Sequence, residues 1–188
     1  MSSLGGLALA RRANRVRLVA LDVDGVLTDG RLYFGVRGEA LKAFDVRDGL
    51  GIRLLRDVGI EVAIVTGRSS RIVSARARDL GIGTVRQGQR DKHACLQRLL
   101  SEAGLSQREC AYMGDDWPDL PALACVGLAA TVADAPEEVK RCVHWVAPSP
   151  GGRGAVRDLA RLLLRAQGHF DALLRGARQA AASELARG

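Results

Sequence analysis

Val19-Ala20-Leu21-Asp22-Val23-Asp24-Gly25-Val26-Leu27-Thr28 runs an apolar strand into two carboxylates and a glycine turn. Residues two apart on a strand share a face, so Asp22 and Asp24 can both point into one crevice as the chain turns at Gly25. In open α/β sheets the carboxyl end of a strand is where ligands bind. Strands that end in aspartate-rich turns are nevertheless common, and the pair takes its meaning from what lies downstream.

Outward from this stretch the chain alternates strand and helix. Residues 17–22, 61–65, 84–86, 110–113 and 144–147 read as short strands, continuously apolar as parallel strands buried on both faces are. Between them lie helical patterns. One starts near Asp48 and carries Leu50, Leu54, Leu55 and Val58, and another starts at Ser69 or Ser70, each a suitable N-cap, and ends before Gly81. Others run over 91–103, 136–142 and 152–167, the last with Val156, Leu159, Leu162 and Leu163 on one stripe. The expected fold class is α/β, a doubly wound, mainly parallel Rossmann-like sheet with helices on both faces.

Two segments interrupt the alternation. Leu32-Tyr33-Phe34, a glycine-containing turn at 35–38 and Leu41 to Phe44 predict a β-hairpin projecting beyond the first strand, over about 30–44. In the tail, Phe170, Leu173, Leu174 and Ala177 keep an amphipathic helical spacing in a composition prone to fraying. The expected organisation is an N-terminal extension over 1–16, one domain over 17–168 and a C-terminal tail over 169–188.

Composition narrows the classes. A chain of 188 residues that is 47% hydrophobic can bury one proper core. It holds no apolar run able to span a bilayer, and Leu4 to Ala10 is too short and glycine-rich for a signal peptide, so a cytoplasmic protein without membrane contact is expected. Cys95, Cys110, Cys125 and Cys142 form no CxxC pair, which argues against a zinc site or a disulfide framework. A net charge of +7 would suit nucleic acid, but the arginines are dispersed in sequence and aromatics make up only 4%, so no nucleic-acid partner is expected. A positive field would also speed the encounter with a strongly anionic small molecule.

Three further motifs follow in order: Ile64-Val65-Thr66-Gly67-Arg68 after a second strand, Lys92 opening a later helix, and Gly114-Asp115-Asp116-Trp117-Pro118-Asp119 after a third. With Asp22 and Asp24, this ordered set resembles the haloacid dehalogenase superfamily of aspartate-nucleophile phosphohydrolases. Phe44-Asp45-Val46-Arg47-Asp48-Gly49-Leu50-Gly51, Gln87-Gly88-Gln89 and Pro150-Gly151-Gly152-Arg153-Gly154-Ala155-Val156-Arg157 look like its sugar-acid phosphatase branch, which acts on 3-deoxy-D-manno-octulosonate 8-phosphate or sialic-acid 9-phosphates. The likeness spans roughly Arg17 to Gly168.

That resemblance implies Asp22 as nucleophile and Asp24 as general acid and base. It also implies Mg²⁺ held by Asp22, the main-chain carbonyl of Asp24 and Asp115. A phosphate dianion repels a carboxylate, and a cation that prefers hard oxygens neutralises both. Asp116 or Asp119 would orient the metal shell, or Asp119 would cap the short helix after it. Thr66, Gly67 and Lys92 are the expected phosphate ligands, a hydroxyl, an unobstructed N–H and a compact positive charge. Asp24, Asp45, Val46, Arg47, Asp48, Gly49, Arg53, Arg68 and Arg76 are the expected contacts to a small phosphorylated sugar acid, whose carboxylate suits a guanidinium. Gly152-Arg153-Gly154 reads either as the first turn of the last helix or as a loop near the site entrance. Sugar phosphomutases of the superfamily use the same catalytic parts, and a degenerate, non-catalytic binding module is the reading outside enzymes. The intervals between motifs leave no room for a cap domain, so a neighbouring subunit is expected to close the site. The resemblance implies a homotetramer with the hairpins at its centre.

Overall fold

The computed structural model describes residues 3–185; Met1, Ser2 and residues 186–188 of the two terminal segments lie outside the described residues. Its centre is β1 (Leu18–Leu21), flanked by β4 (Glu61–Val65) and β6 (Cys110–Met113). Outside these lie β5 (Thr84–Arg86) on one edge and β7 (Leu128–Thr131) and β8 (Trp145–Val146) on the other. The order β5-β4-β1-β6-β7-β8 is parallel throughout. Leu21 pairs with Ile64 on one side and Met113 on the other, so the motifs after β1, β4 and β6 emerge at one end of the sheet. The chain steps from β1 towards β5 and then back across to β6, and the crevice opens where that direction reverses.

The helices cover both faces. They are α1 (Ser3–Ala13), α2 (Val46–Asp57), α3 (Arg71–Asp79), α4 (Lys92–Ala103), α5 (Leu120–Leu123), α6 (Glu137–Lys140), α7 (Ala155–Ala166) and α8 (Phe170–Leu185). Their starts follow local chemistry. Asp45, Ser70 and Asp91 each accept a main-chain N–H of the first turn, which decides the Ser69 or Ser70 alternative for Ser70. Val156, Leu159 and Leu163 of the predicted α7 stripe are fully buried, and α7 packs along α2.

Several expectations are corrected. The N-terminal segment forms helix α1, and Ala13 at its end and Val16 after it are buried in the core, where Gln167 donates to both of their carbonyls at 3.1 and 2.8 Å. Strand β7 escaped the sequence reading because Leu-Ala-Ala-Thr carries little β signature, although all four residues are buried. The hairpin pairs β2 (Tyr33–Gly35) with β3 (Gly38–Leu41), three residues earlier than the expected second arm. Past Leu41 the chain turns inward. Phe44, expected on the exposed hairpin, instead packs against the core, with Arg76 stacked 5.7 Å from its ring centroid. The tail's α8 is anchored at its start by Phe170 and Leu173, and Arg165 covers the Phe170 ring.

Asp48 joins the two branch-like stretches. Its buried carboxylate accepts N–H groups from Gly154 at 3.2 Å and Arg157 at 2.8 Å, clamping the start of α2 to the start of α7. Next to it, Arg47 pairs with Asp45 and donates to the Arg153 carbonyl. Gly151 lies so close beneath the first motif that a Cβ there would sit 1.8 Å from the Gly25 carbonyl oxygen. Gly152, Arg153 and Gly154 form a turn ahead of α7 and, with Gly151, back the loop after β1 and the start of α2, so they are neither the first turn of that helix nor part of the crevice lining.

Burial raises the Asp48 pKa to about 6, against the two N–H donors that favour its charge. A carboxyl raised above its unfolded value contributes stability while protonated, and that contribution is lost as pH rises from the unfolded value through the folded one. Between about pH 5 and pH 7.5 the wild type should therefore lose about 1 kcal/mol of unfolding free energy more than Asp48→Asn loses. Urea denaturation of both proteins at the two pH values checks this, and parallel losses would disprove it.

Candidate active site

Asp22 follows β1 directly, its N–H bonded to the Met113 carbonyl as if the strand continued. The chain then curls: the Val23 carbonyl accepts the N–H groups of Val26, Leu27 and Thr28. Gly25 makes this curl possible. It sits at φ +89°, and a Cβ there would fall 2.0 Å from an Asp115 carboxylate oxygen. Asp22 and Asp115 approach each other across this glycine.

At the floor, the Lys92 ammonium donates to Asp22 at 2.7 Å and to Asp119 at 2.6 Å, and all three side chains are buried. Asp119 is saturated. One of its oxygens accepts from Lys92 and from the Tyr112 hydroxyl at 2.6 Å, the other from the N–H groups of Asp115 and Asp116. It makes no side-chain bond to the helix after it, so the expected cap of that helix is not formed, and its partners are Lys92, Tyr112 and the Asp115 and Asp116 N–H groups. Asp116 caps the turn 117–119 through the Trp117 N–H. Tyr112 is a functional residue that sequence reasoning missed, because a tyrosine inside an apolar strand looks like core.

The carboxylates Asp22, Asp115 and Asp119 have oxygen atoms within 4.8 Å of one another. Burial first, then Asp119, pushes Asp22 above the ordinary carboxylate range despite Lys92. Burial, Asp119 and Asp22 push Asp115 up to about 7. Burial opposes the charge of Lys92, but the two carboxylates outweigh it and raise its pKa, so the lysine stays protonated. Three carboxylates around one lysine leave negative charge, and hard oxygens are what a small divalent cation requires. With Asp119 fully engaged, Asp22 and Asp115 are the side chains with capacity to hold it.

The crevice above is lined by Asp22, Asp24, Thr66, Gly67, Arg68, Lys92 and Asp115, with Gln89, Arg90 and Pro118 at its sides. The Thr66 to Arg68 loop is shaped by the Gln87-Gly88-Gln89 stretch, whose Gly88 and Gln89 N–H groups bond the Arg68 and Thr66 carbonyls. Arg68 reaches Asp24 at 3.6 Å and covers the Phe34 ring. Of the expected sugar-acid contacts, only Asp24 and Arg68 line this crevice. Asp45, Asp48, Gly49 and Arg76 surround a separate small cavity with Phe44, Val46 and Arg47 lie on the exposed start of α2, and Arg53 faces Asp79 at 3.9 Å on the surface.

A second residue that the sequence concealed is Lys42, just past β3. Its side chain is only 1% exposed and its ammonium contacts Asp24 and, at 3.1 Å, Glu39, which in turn accepts the Ser70 hydroxyl. Lys42 thus ties the hairpin to Asp24. Its only sequence signal was one charge inside the otherwise apolar run Leu41-Lys42-Ala43-Phe44.

Fold and site together define a hydrolase built around a buried aspartate, and residues 43–127 match the haloacid dehalogenase-like hydrolase family. Over 160 residues the chain is 47% identical to the 3-deoxy-D-manno-octulosonate 8-phosphate phosphatase of Escherichia coli K12, covering 85% of each. The crystal structure of that phosphatase from Yersinia pestis superposes with a TM-score of 0.86 at 45% identity, covering 87% of this chain and 89% of the other. The Moraxella catarrhalis enzyme, solved in complex with magnesium ion, phosphate ion and KDO molecule, gives 0.87 at 41% identity, covering 89% and 97%. The chain belongs to the 3-deoxy-D-manno-octulosonate 8-phosphate phosphatase family of haloacid dehalogenase-like hydrolases. It is a phosphomonoesterase.

Removing Lys42 should misplace Asp24 and leave Glu39 without its cation. Lys42→Met is expected to lower kcat about tenfold or more with little change in KM, and Lys42→Arg to recover part of the loss. Steady-state kinetics beside thermal melts checks this, and a folded Lys42→Met with wild-type kcat would refute the positioning role.

Proposed function

We propose that this chain hydrolyses 3-deoxy-D-manno-octulosonate 8-phosphate to the free sugar acid and phosphate, in the cytoplasm, as a step in lipopolysaccharide biosynthesis. The observation that carries the reading is the convergence of Asp22, Lys92 and Asp115 at the floor of a crevice whose rim is Thr66, Gly67 and Arg68. Mg²⁺ between Asp22, the Asp24 main-chain carbonyl and Asp115 would supply the positive charge that lets two anions meet.

Asp22, oriented by Lys92 and the Val23 N–H, attacks phosphorus. As the bond from phosphorus to the sugar oxygen breaks, Asp24 gives that oxygen a proton. Asp24 then takes a proton from water, whose oxygen attacks the aspartyl phosphate, and the bond from phosphorus to Asp22 breaks to release phosphate. Lys92, the Thr66 hydroxyl and the Gly67 N–H hold the non-bridging oxygens throughout. Arg68, over the mouth of the crevice, reads the sugar carboxylate.

Within one subunit no cap domain covers the crevice, whose described lining reaches Gly30 at the base of the hairpin. Leu32, Phe34, Val36 and Leu41 of the hairpin are exposed, Phe34 by 63%, and such a patch marks an interface. The proposed assembly is a homotetramer in which a neighbour's hairpin closes each crevice. Val46, Arg47 and Arg53 would reach sugar across that interface, while the Asp45, Asp48, Gly49 and Arg76 group sets the position of α2 behind it.

Asp22→Asn should cut phosphate release about a thousandfold or more and abolish the covalent intermediate. On a panel of octulosonate, nonulosonate and hexose phosphates the wild type should prefer the eight-carbon acid. Substantial turnover by Asp22→Asn, preference for the nine-carbon acids, or activity indifferent to chelation would overturn the corresponding part of the reading. Separately, Phe34→Glu should shift the protein to smaller species by light scattering and lower activity on the sugar acid at least tenfold more than on a small generic phosphate ester. A monomeric variant that keeps full activity and selectivity would refute closure by a neighbour.

A further inference from the structure

The arginines that are dispersed in sequence gather in space on the side of the sheet away from the crevice. Arg11 and Arg12 close helix α1, Arg15 follows it, and Arg108 stands in the turn 107–109 before β6; together they line a cleft over Gly127, which immediately precedes β7. All of these positions lie at the amino ends of β1, β6 and β7, opposite the carboxyl ends that carry the catalytic motifs.

The floor of the cleft is tightly built. The Gly127 N–H donates to the Gln107 carbonyl at 2.7 Å, a Cβ on Gly127 would fall 2.3 Å from the Arg108 carbonyl oxygen, and Arg12 donates to the Gly127 carbonyl at 2.7 Å. Among the described residues, none of Arg11, Arg12, Arg15 and Arg108 pairs with a carboxylate, whereas neighbouring Arg17 pairs with Glu109. Arg11 and Arg12 complement the carboxyl end of the α1 dipole, but that accounts for neither Arg15 nor Arg108. Four like charges focused in one concavity raise its affinity for anions. The positive charge is felt nearby: burial first, and then Arg12, holds the His144 imidazole below its ordinary pKa.

We propose that this cleft is a second anion site, distinct from the catalytic crevice, that takes a compact soluble oligophosphate. Guanidinium forks match phosphate oxygens, and filling four of them calls for more than one anionic group. The walls are arginine, Ala8 and Gly127 with no aromatic surface, so the site grips phosphate groups and offers no platform for a nucleobase.

Calorimetric titration of the full chain with tripolyphosphate in magnesium-free buffer tests the site, using wild type and the double variant Arg15→Ala/Arg108→Ala. Both side chains are exposed, so the variant should fold and keep wild-type activity on a small phosphate ester. Saturable binding to wild type, weakened at least tenfold in the variant and declining with salt, is the expected result. Equal affinity in the two proteins would locate the binding in the catalytic crevice, and absence of saturable binding would leave the cleft without a ligand; either overturns the proposal. So would loss of binding to phosphatidylglycerol vesicles in the variant with no tripolyphosphate binding by the wild type, which would make the patch a membrane-facing surface.

Discussion

Everything at the catalytic end of this protein is arranged around one buried ammonium, that of Lys92, shared between Asp22 and Asp119. Burying charges is costly unless each is paired and hydrogen-bonded, and a buried pair broken on one side is worse than no pair. The structure meets that condition from two strands and a helix. Asp22 comes from the end of β1, Lys92 from the first turn of α4, and Asp119 is fastened by the Tyr112 hydroxyl of β6 and by two main-chain N–H groups. Loss of any member leaves the others uncompensated in a low-dielectric floor, so geometry that serves chemistry also specifies how the strand ends must lie.

The same constraint explains why glycine and tight backbone packing surround the site. Asp115 reaches Asp22 only because Gly25 has no side chain, and the loop containing Gly25 keeps its curl because Gly151 presses against it from behind. Asp48 then ties the Gly151 to Arg157 stretch to α2. A chain of close contacts thus runs from Asp22 and Asp115 to the α2–α7 packing, and Asp48, expected from the sequence at the sugar, holds α2 against the stretch that backs the Gly25 loop. On the opposite side Lys42 and Glu39 couple the hairpin to Asp24 and Ser70, so an element whose apolar face is left exposed is also wired to the crevice.

The linear sequence made legible the alternating strands and helices, the parallel sheet, and the motifs whose residues Asp22, Asp24, Thr66, Gly67, Lys92 and Asp115 come to line one crevice. Those are local signals: continuous apolar runs, capping residues, and motifs whose order along the chain maps onto strand ends. It could not determine β7, whose alanines carry no strand signature, nor α1, whose glycines hide a helix that only packing on the core stabilises. Tertiary structure alone decided that Asp119 is anchored to Lys92 and Tyr112, that Lys42 turns inward to Asp24, that Phe44 leaves the hairpin for the core, and that Arg53 and Arg76 stand apart from the crevice. It alone gathered Arg11, Arg12, Arg15 and Arg108 around one cleft. The physical reason is common to all of these: each depends on which distant segments share a space, and the energies of buried charge and close packing are settled between segments that the linear pattern keeps far apart.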